Sequence, residues 1–191
     1  MKTLLIIIFL TTINQLSIAQ CELTTKKENL AIGMIVLGTL DNNDADIYSA
    51  RITKVTQGGF ECEFVHTNSN YIFDDFSRGV DFYATAKVIS NRGGKFAAGT
   101  VFKFIIYVAA PSACDLLSTE IPQGVVCITT FSDGKTFLGF LSKTPEEYTV
   151  FYPHSFSTYT FDGKWKITKV KGGKYKVGQA VKIEFAQQVI L

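Results

Sequence analysis

The sequence predicts an all-β protein built from two small barrels in tandem. Three observations support this prediction: short segments of alternating apolar and polar residues, tight turns between them, and an internal repeat that spans most of the chain. Residues that favour strands, namely valine, isoleucine, threonine and the aromatics, dominate these segments. Because about five strands occur in each copy, closing each sheet into a barrel would remove its exposed edges.

The repeat is clearest in two twelve-residue segments, EFVHTNSNYIFD (63–74) and FYPHSFSTYTFD (151–162), which lie 88 positions apart. We interpret these segments as repeated fold elements and not as a duplicated active site. Two further pairs match in the same order: GMIVLGTLDNNDADIYSARI (33–52) with GVVCITTFSDGKTFLGFL (124–141), and GGKFAAGTVFKF (93–104) with GGKYKVGQAVKI (172–183).

Each copy reads as a series of strands in chain order. The predicted strands of the first copy are YSARITKV, FECEFVH, NYIFDDF, ATAKVIS and TVFKFIIYV, and those of the second are KTFLGFL, YTVFYPH, STYTFD, KWKITKV and QAVKIEF. Turn signals separate them at residues 41–44, 57–59, 91–94, 132–134, 162–163 and 171–173. The sequence therefore predicts a first barrel at 30–108, a connector at 109–122 and a second barrel at 123–191. In the connector, CDLLSTEI has the composition for one or two helical turns.

The first residues have the parts of a secretory signal peptide, predicted at 1–19. Lys2 is followed by an apolar run from Leu4 to Leu10, with small residues at Ser17 and Ala19. The run is too short for a membrane-spanning helix, which needs roughly 20 apolar residues. We therefore expect a secreted or periplasmic protein. A lipid anchor on Cys21 is disfavoured, because Gln20 stands where a lipoprotein signal has a small residue.

The net charge is close to neutral, with 19 Lys and Arg against 17 Asp and Glu. It therefore does not indicate a nucleic-acid partner. Four cysteines in an exported chain make disulfides plausible. Cys114 and Cys127 are the natural local pair. Cys62 alternates with Phe60 and Phe64 toward a core, where a buried free thiol is the alternative.

The first copy resembles a Tudor-like module of the SH3-like barrel superfamily. The resemblance rests on Gly33-x-x-Val36, the strand Ile47 to Ile52, and Gly59-Phe60-x-x-x-Phe64, and it covers about 45 residues of each copy. It implies an aromatic cage in which ring faces attract a cation. The matching positions hold Leu40, Tyr48, Phe64 and Thr67 in the first copy; Phe131, Phe137, Tyr152 and Phe156 lie near them in the second.

A basic stretch, KWKITKVKGGKYKVGQAVK (164–182), carries seven lysines and no acid. Its alternation with apolar residues is typical of a strand with one solvated face. The functional alternative is an anionic polymer on this stripe, with Trp165 or Tyr175 as a stacking partner. The candidate ligand-binding residues of the second copy are thus Phe131, Phe137, Tyr152, Phe156, Trp165 and Tyr175.

The two histidines, His66 and His154, occupy the same repeat position after an aromatic strand. We expect them to brace their loops by bonding the hydroxyls of Thr67 and Ser69, or of Ser155 and Ser157. The sequence contains no catalytic or metal-binding motif, and the acid-rich turn at 41–46 lacks the spacing of an EF-hand. We therefore predict no catalytic residue, metal or cofactor.

The function expected from these features is non-catalytic binding or scaffolding. The predicted partner is a cell-envelope glycan, peptide or other macromolecule, held in the groove between the two barrels. Two alternatives stay open: a cell-wall-directed hydrolase or inhibitor that uses His154, and a subunit of a surface assembly. The sequence does not indicate the oligomeric state.

Overall fold

The computed structural model describes residues 24–26, 29–41, 43–78, 84–110 and 124–190. The predicted signal peptide, Cys21, most of the connector with its CDLLSTEI segment, and Cys114 lie outside the described residues. The described residues contain strands and turns and no helix, so the all-β prediction is confirmed.

The described residues of the first half form eight strands: β1 (Thr24–Lys26), β2 (Ile35–Leu40), β3 (Asn43–Thr56), β4 (Gly59–Phe64), β5 (Ser69–Asp74), β6 (Ser77–Arg78), β7 (Ala84–Arg92) and β8 (Val101–Ala109). Six of them form a closed antiparallel barrel in the order β2-β3-β4-β5-β7-β8, and β8 pairs again with β2. Closure satisfies the backbone groups of every barrel strand on both sides. The barrel has one strand more than the sequence predicted.

The second half contains six strands: β9 (Val125–Thr130), β10 (Thr136–Lys143), β11 (Tyr148–Tyr152), β12 (Ser157–Phe161), β13 (Ile167–Lys171) and β14 (Lys182–Ile190). They pair in the order β14-β9-β10-β11-β12-β13. A single bridge between Lys166 and Ala180 joins the start of β13 to the start of β14. The equivalent strands of the first half, β7 and β8, are joined by a continuous antiparallel pairing. The basic stretch therefore comprises β13, which ends at Lys171 before the predicted turn, an irregular arm, and the first residue of β14.

A single strand joins the two halves. The first part of β14 pairs with β9, from Lys182 opposite Thr130, and its last part pairs with β8, ending at Val189 opposite Ile106. β1 pairs in parallel with the end of β14, on the edge opposite β8. All these strands therefore belong to one hydrogen-bonded system, and two separate barrels are not confirmed.

Three apolar clusters hold this system together. One fills the first barrel around Val36, Phe60 and Phe102, and a second lies inside the other half around Leu141 and Val150. The third packs the halves against each other with six buried side chains: Ile35, Leu37, Tyr107, Ile128, Leu138 and Ala186. Since a buried side chain of this size contributes about 1.5–3 kcal/mol, this shared layer stabilises the junction substantially.

The cysteines in the described residues are free thiols. Cys62 and Cys127 are both fully buried and unpaired. The buried free thiol expected as an alternative for Cys62 is the observed state. The predicted Cys114–Cys127 disulfide is not formed, because Cys127 points into the second core. Burial raises the pKa of Cys127 to about 12 and also raises the pKa of Cys62, so both stay protonated at neutral pH.

Candidate functional site

The two repeated segments form equivalent loops, one after β4 and one after β11. Each turn needs a residue with positive φ: Asn68 at 50° and, at the same repeat position, Phe156 at 49°. Asparagine tolerates this conformation, whereas phenylalanine does so at a cost. Phe156 is also 73% exposed, so burial of its own ring offsets little of that cost.

Hydroxyl groups close each loop. Thr67 Oγ1 and Ser69 Oγ are 2.6 Å apart, and Ser155 Oγ and Ser157 Oγ are 2.8 Å apart. The hydroxyls thus bond each other, and in this part of the chain neither histidine hydrogen-bonds them as expected. The imidazoles contact neighbouring rings, and each other, instead. His154 stacks on Phe137 with ring centroids 4.7 Å apart and an interplanar angle of 8°.

The Gly-Gly-Lys-aromatic motif folds over a buried tyrosine in each half. The backbone N–H of Phe96 donates to Tyr71 Oη at 3.3 Å, and that of Tyr175 donates to Tyr159 Oη at 3.2 Å. The second glycine of each motif, Gly94 or Gly173, lies so close to this hydroxyl that a Cβ would overlap it. The repeated tyrosine and Gly-Gly residues therefore form the same contact between tyrosine hydroxyl and backbone in each half.

A cavity lies beside this contact in each half. The first has a volume of about 270 Å³ and the second about 200 Å³. Their linings match residue for residue at the loop hydroxyls, at the two glycines and at the following lysine. The matched aromatic positions are Tyr48 and Phe137, Phe64 and Tyr152, Tyr71 and Tyr159, and Phe96 and Tyr175.

The two cavities meet at the histidines. The rings of His66 and His154 are 5.5 Å apart at their centroids and tilted by 67°, and both side chains line both cavities. Lys135, in the turn between β9 and β10, holds the loop after β4 against the second half, donating to Asn68 Oδ1 at 2.9 Å and to the Val65 carbonyl at 3.4 Å. The repeats therefore create one bipartite groove.

His154 is neutral at physiological pH. Its burial, and then the nearby charge of His66, lower its pKa to about 4. Its Nδ1 atom is buried and has no hydrogen-bond partner. Among the described residues only one other buried side-chain atom lacks a partner, Ser49 Oγ, and Ser49 lines the first cavity together with His154.

The lysines of the two cavities differ in their partners. Lys174 forms an ion pair with Asp133 at 3.6 Å and lies over the Tyr175 ring. Lys95, its equivalent, lies 5.4 Å and 5.0 Å from the ring centres of Tyr48 and Phe96 and has no ion-pair partner within the described part of the chain. Among the described residues, no carboxylate therefore pairs with the positive charge of the first cavity.

The second cavity is more tightly filled than the first. Tyr175 stacks on Phe131 with centroids 3.7 Å apart, and its hydroxyl donates to Asp133 at 3.1 Å. Burial, together with the bond to the carboxylate, raises the pKa of Tyr175. In the first copy Leu40 stands where the second has Phe131, which leaves the ring of Phe96 unstacked on that side.

Four of the six candidate residues come together. Phe131, Phe137, Tyr152 and Tyr175 line the second cavity, whereas Phe156 does not. Trp165 packs elsewhere, against Tyr148 with centroids 4.7 Å apart. In the basic stretch, Lys169, Lys174 and Lys182 form ion pairs with Glu147, Asp133 and Glu184, which weakens it as a polyanion surface.

The candidate ligand-binding residues predicted from the sequence lie in the second half, not around the first cavity, which is the larger of the two. Ser49, Lys95 and Phe96 were not among the candidates, although the Gly-Gly-Lys-aromatic repeat contained the signal for two of them. Within the described residues, no group of three or more His, Cys, Asp or Glu could hold a metal ion. Among the described residues that line the two cavities, no hydroxyl hydrogen-bonds a histidine.

Comparison of the chain with protein families, with curated proteins and with solved structures finds no match. Among the described residues there is no helix with the length and apolar character needed to cross a membrane.

Proposed function

We propose that this chain is an exported, non-catalytic binding protein that holds one cell-envelope polymer across its two cavities. The observation that carries the proposal is the equivalence of the two linings and their meeting at His66 and His154. A ligand that contacts both cavities gains from two modest sites at once, without either being strong alone. In this proposal each half acts as an SH3-like barrel, consistent with the closed first barrel and the bridge at Lys166 and Ala180.

The aromatic character of the linings supports binding over turnover. Ring faces provide stacking surface for sugars and for flat or apolar groups, and each such contact contributes about 0.5–1.5 kcal/mol. A hydrolase that uses His154 would need a nucleophile or acid partner on its imidazole. His154 instead contacts Phe137, Tyr152 and His66 through its ring.

The proposal is tested by probing the purified protein against glycan, peptide and lipid arrays at low and high salt, followed by titration of the best ligand. Phe96→Leu and Tyr175→Leu remove equivalent rings from the two cavities, and each should weaken binding roughly fivefold, the loss expected for one aromatic contact. Ile89→Ala is the control, because Ile89 is 52% exposed and lines neither cavity. Loss of affinity from only one ring variant contradicts a ligand shared by both cavities.

A second experiment separates binding from catalysis. The parent protein should not hydrolyse envelope polymers. The His154→Ala variant should be folded and should likewise show no hydrolysis. Turnover that is present in the parent protein and abolished by this substitution would overturn the proposal in favour of the hydrolase.

A further inference from the structure

We infer that the first cavity binds the carboxylate of an acidic sugar, a uronic acid unit within a glycan. This inference rests on the proposed function and specifies its ligand. The structural basis is the coincidence, around one cavity, of two residues whose buried polar atoms lack partners, one lysine without an ion pair among the described residues, and two partly buried aromatic rings.

The unpartnered atoms indicate where a ligand's polar group would lie. Ser49 is 3% exposed, and its Oγ has no hydrogen-bond partner, like His154 Nδ1. A buried polar group without a partner costs about 1–3 kcal/mol, and nearly all such groups in proteins are satisfied. Both residues line the first cavity, so rotation of the Ser49 hydroxyl and a flip of the His154 ring would let a ligand bound there satisfy both atoms.

The charge of the lining indicates the ligand's sign. Lys95 lies at the cavity over Tyr48 and Phe96, and none of the residues that line the cavity carries a carboxylate. Asp46 touches the lining from outside, accepting from Tyr48 Oη at 3.4 Å. A lining with hydroxyl, imidazole and ammonium groups and no acid favours an anionic acceptor, and hydrogen bonds to a charged group are the strong ones.

The remainder of the lining favours a sugar over a peptide. Thr67 and Ser69 supply hydroxyls, and Tyr48 and Phe96 supply ring surface against which the C–H face of a pyranose can pack. A peptide strand gains most of its affinity by pairing with an exposed sheet edge, and the closed first barrel has no such edge beside the cavity. A volume of about 270 Å³ suits a small unit, with the neighbouring sugar directed past the histidines toward the second cavity.

The inference is tested by calorimetric titration of the purified protein with tetramers of galacturonic, mannuronic and glucuronic acid, each beside its methyl ester. At least one acid should bind, and its ester should bind at least tenfold more weakly, because the ester lacks the charge. Ser49→Ala should weaken binding of that acid about tenfold, the effect of losing a hydrogen bond to a charged group. The same substitution should leave the melting temperature unchanged or higher, since it removes an unsatisfied hydroxyl.

A matched pair of lysine variants completes the test. Lys95→Met should weaken binding of the acid and reduce its salt dependence, whereas Lys169→Met should change the affinity by less than about twofold, because Lys169 lines neither cavity and pairs with Glu147. Equal binding of acid and ester overturns the carboxylate assignment while the binding function stands. Binding of a peptide but no uronic acid also overturns it. If no ligand of any class binds on the arrays, the proposed function fails as well.

Discussion

At the scale of single residues, His154 has the most perturbed environment in the groove. It is stacked on Phe137, lies edge-on to Tyr152 and His66, and has a buried nitrogen without a partner. All these contacts suit a neutral ring, and none of them compensates a positive charge. Protonation of this histidine is therefore easier in the unfolded chain than in the folded protein.

This difference predicts acid sensitivity. The ordinary pKa of 6.5 falls to about 4 in the folded state, so the unfolded state binds the extra proton between these values. The free energy of unfolding should therefore decrease as the pH falls from about 6.5 to 4, by up to about 3 kcal/mol from this group. His154→Phe keeps the stacked ring and should remove most of the decrease, measured by urea denaturation at pH 7, 5.5 and 4.5.

His66→Gln is the comparison variant, because the charge of His66 is the smaller of the two causes and burial of His154 remains. It should retain most of the pH dependence. Parallel stability curves for the parent protein and His154→Phe would contradict this account.

At the scale of elements, the repeated contact between a tyrosine and a Gly-Gly-Lys-aromatic arm positions each cavity. Tyr71 and Tyr159 are buried at 1% and 3% exposure, and their hydroxyls accept from the arm's backbone. The arm reaches the hydroxyl only because its second glycine has no side chain. The lysine and the aromatic residue that follow are thereby brought to the cavity.

Alanine at this glycine should displace the arm. Gly94→Ala and Gly173→Ala would each place a Cβ about 2 Å from the hydroxyl of a buried tyrosine, so the arm or the ring must shift, at a cost of about 1–3 kcal/mol, typical of overpacking. Gly58→Ala and Gly163→Ala are matched controls, because a Cβ there meets no atom within 4 Å. Chemical denaturation of the four variants measures the effect, and equal stabilities in both pairs would contradict the contact.

At the scale of the whole molecule, β14 joins the two halves. It pairs with β9 over its first part and with β8 over its last, and the third apolar cluster lies across the same junction. Neither half can lose β14 without exposing backbone groups and apolar surface of the other. The two halves therefore share backbone pairing and a core cluster, unlike modules that are joined only by a linker.

We expect this connection to make unfolding cooperative. Amide hydrogen exchange at Val36, in the first barrel, and at Val150, in the second half, should report the same opening free energy. Thermal unfolding followed by the fluorescence of Trp165 should coincide with that followed by circular dichroism. Two separated transitions, or much faster exchange in one half, would show that the halves open independently.

Much of the local structure followed from the sequence. The alternation in FECEF predicted a strand with Phe60, Cys62 and Phe64 facing a core, and all three side chains are buried. The recurring letters predicted equivalent loops, and Asn68 and Phe156 have the same φ. These features depend on interactions between residues close in the chain, so local pattern is sufficient to encode them.

Features that depend on distant residues were decided only by the tertiary structure. The sequence could not indicate that β14 pairs with both β8 and β9, that Cys127 is free in a core, or that His66 and His154 approach each other to 5.5 Å. Ser49 has the sequence context of any strand hydroxyl, and only the folded structure shows that it is buried. Which faces meet depends on shape and hydrogen-bond complementarity between whole sheets, and that complementarity exists only once both halves have folded.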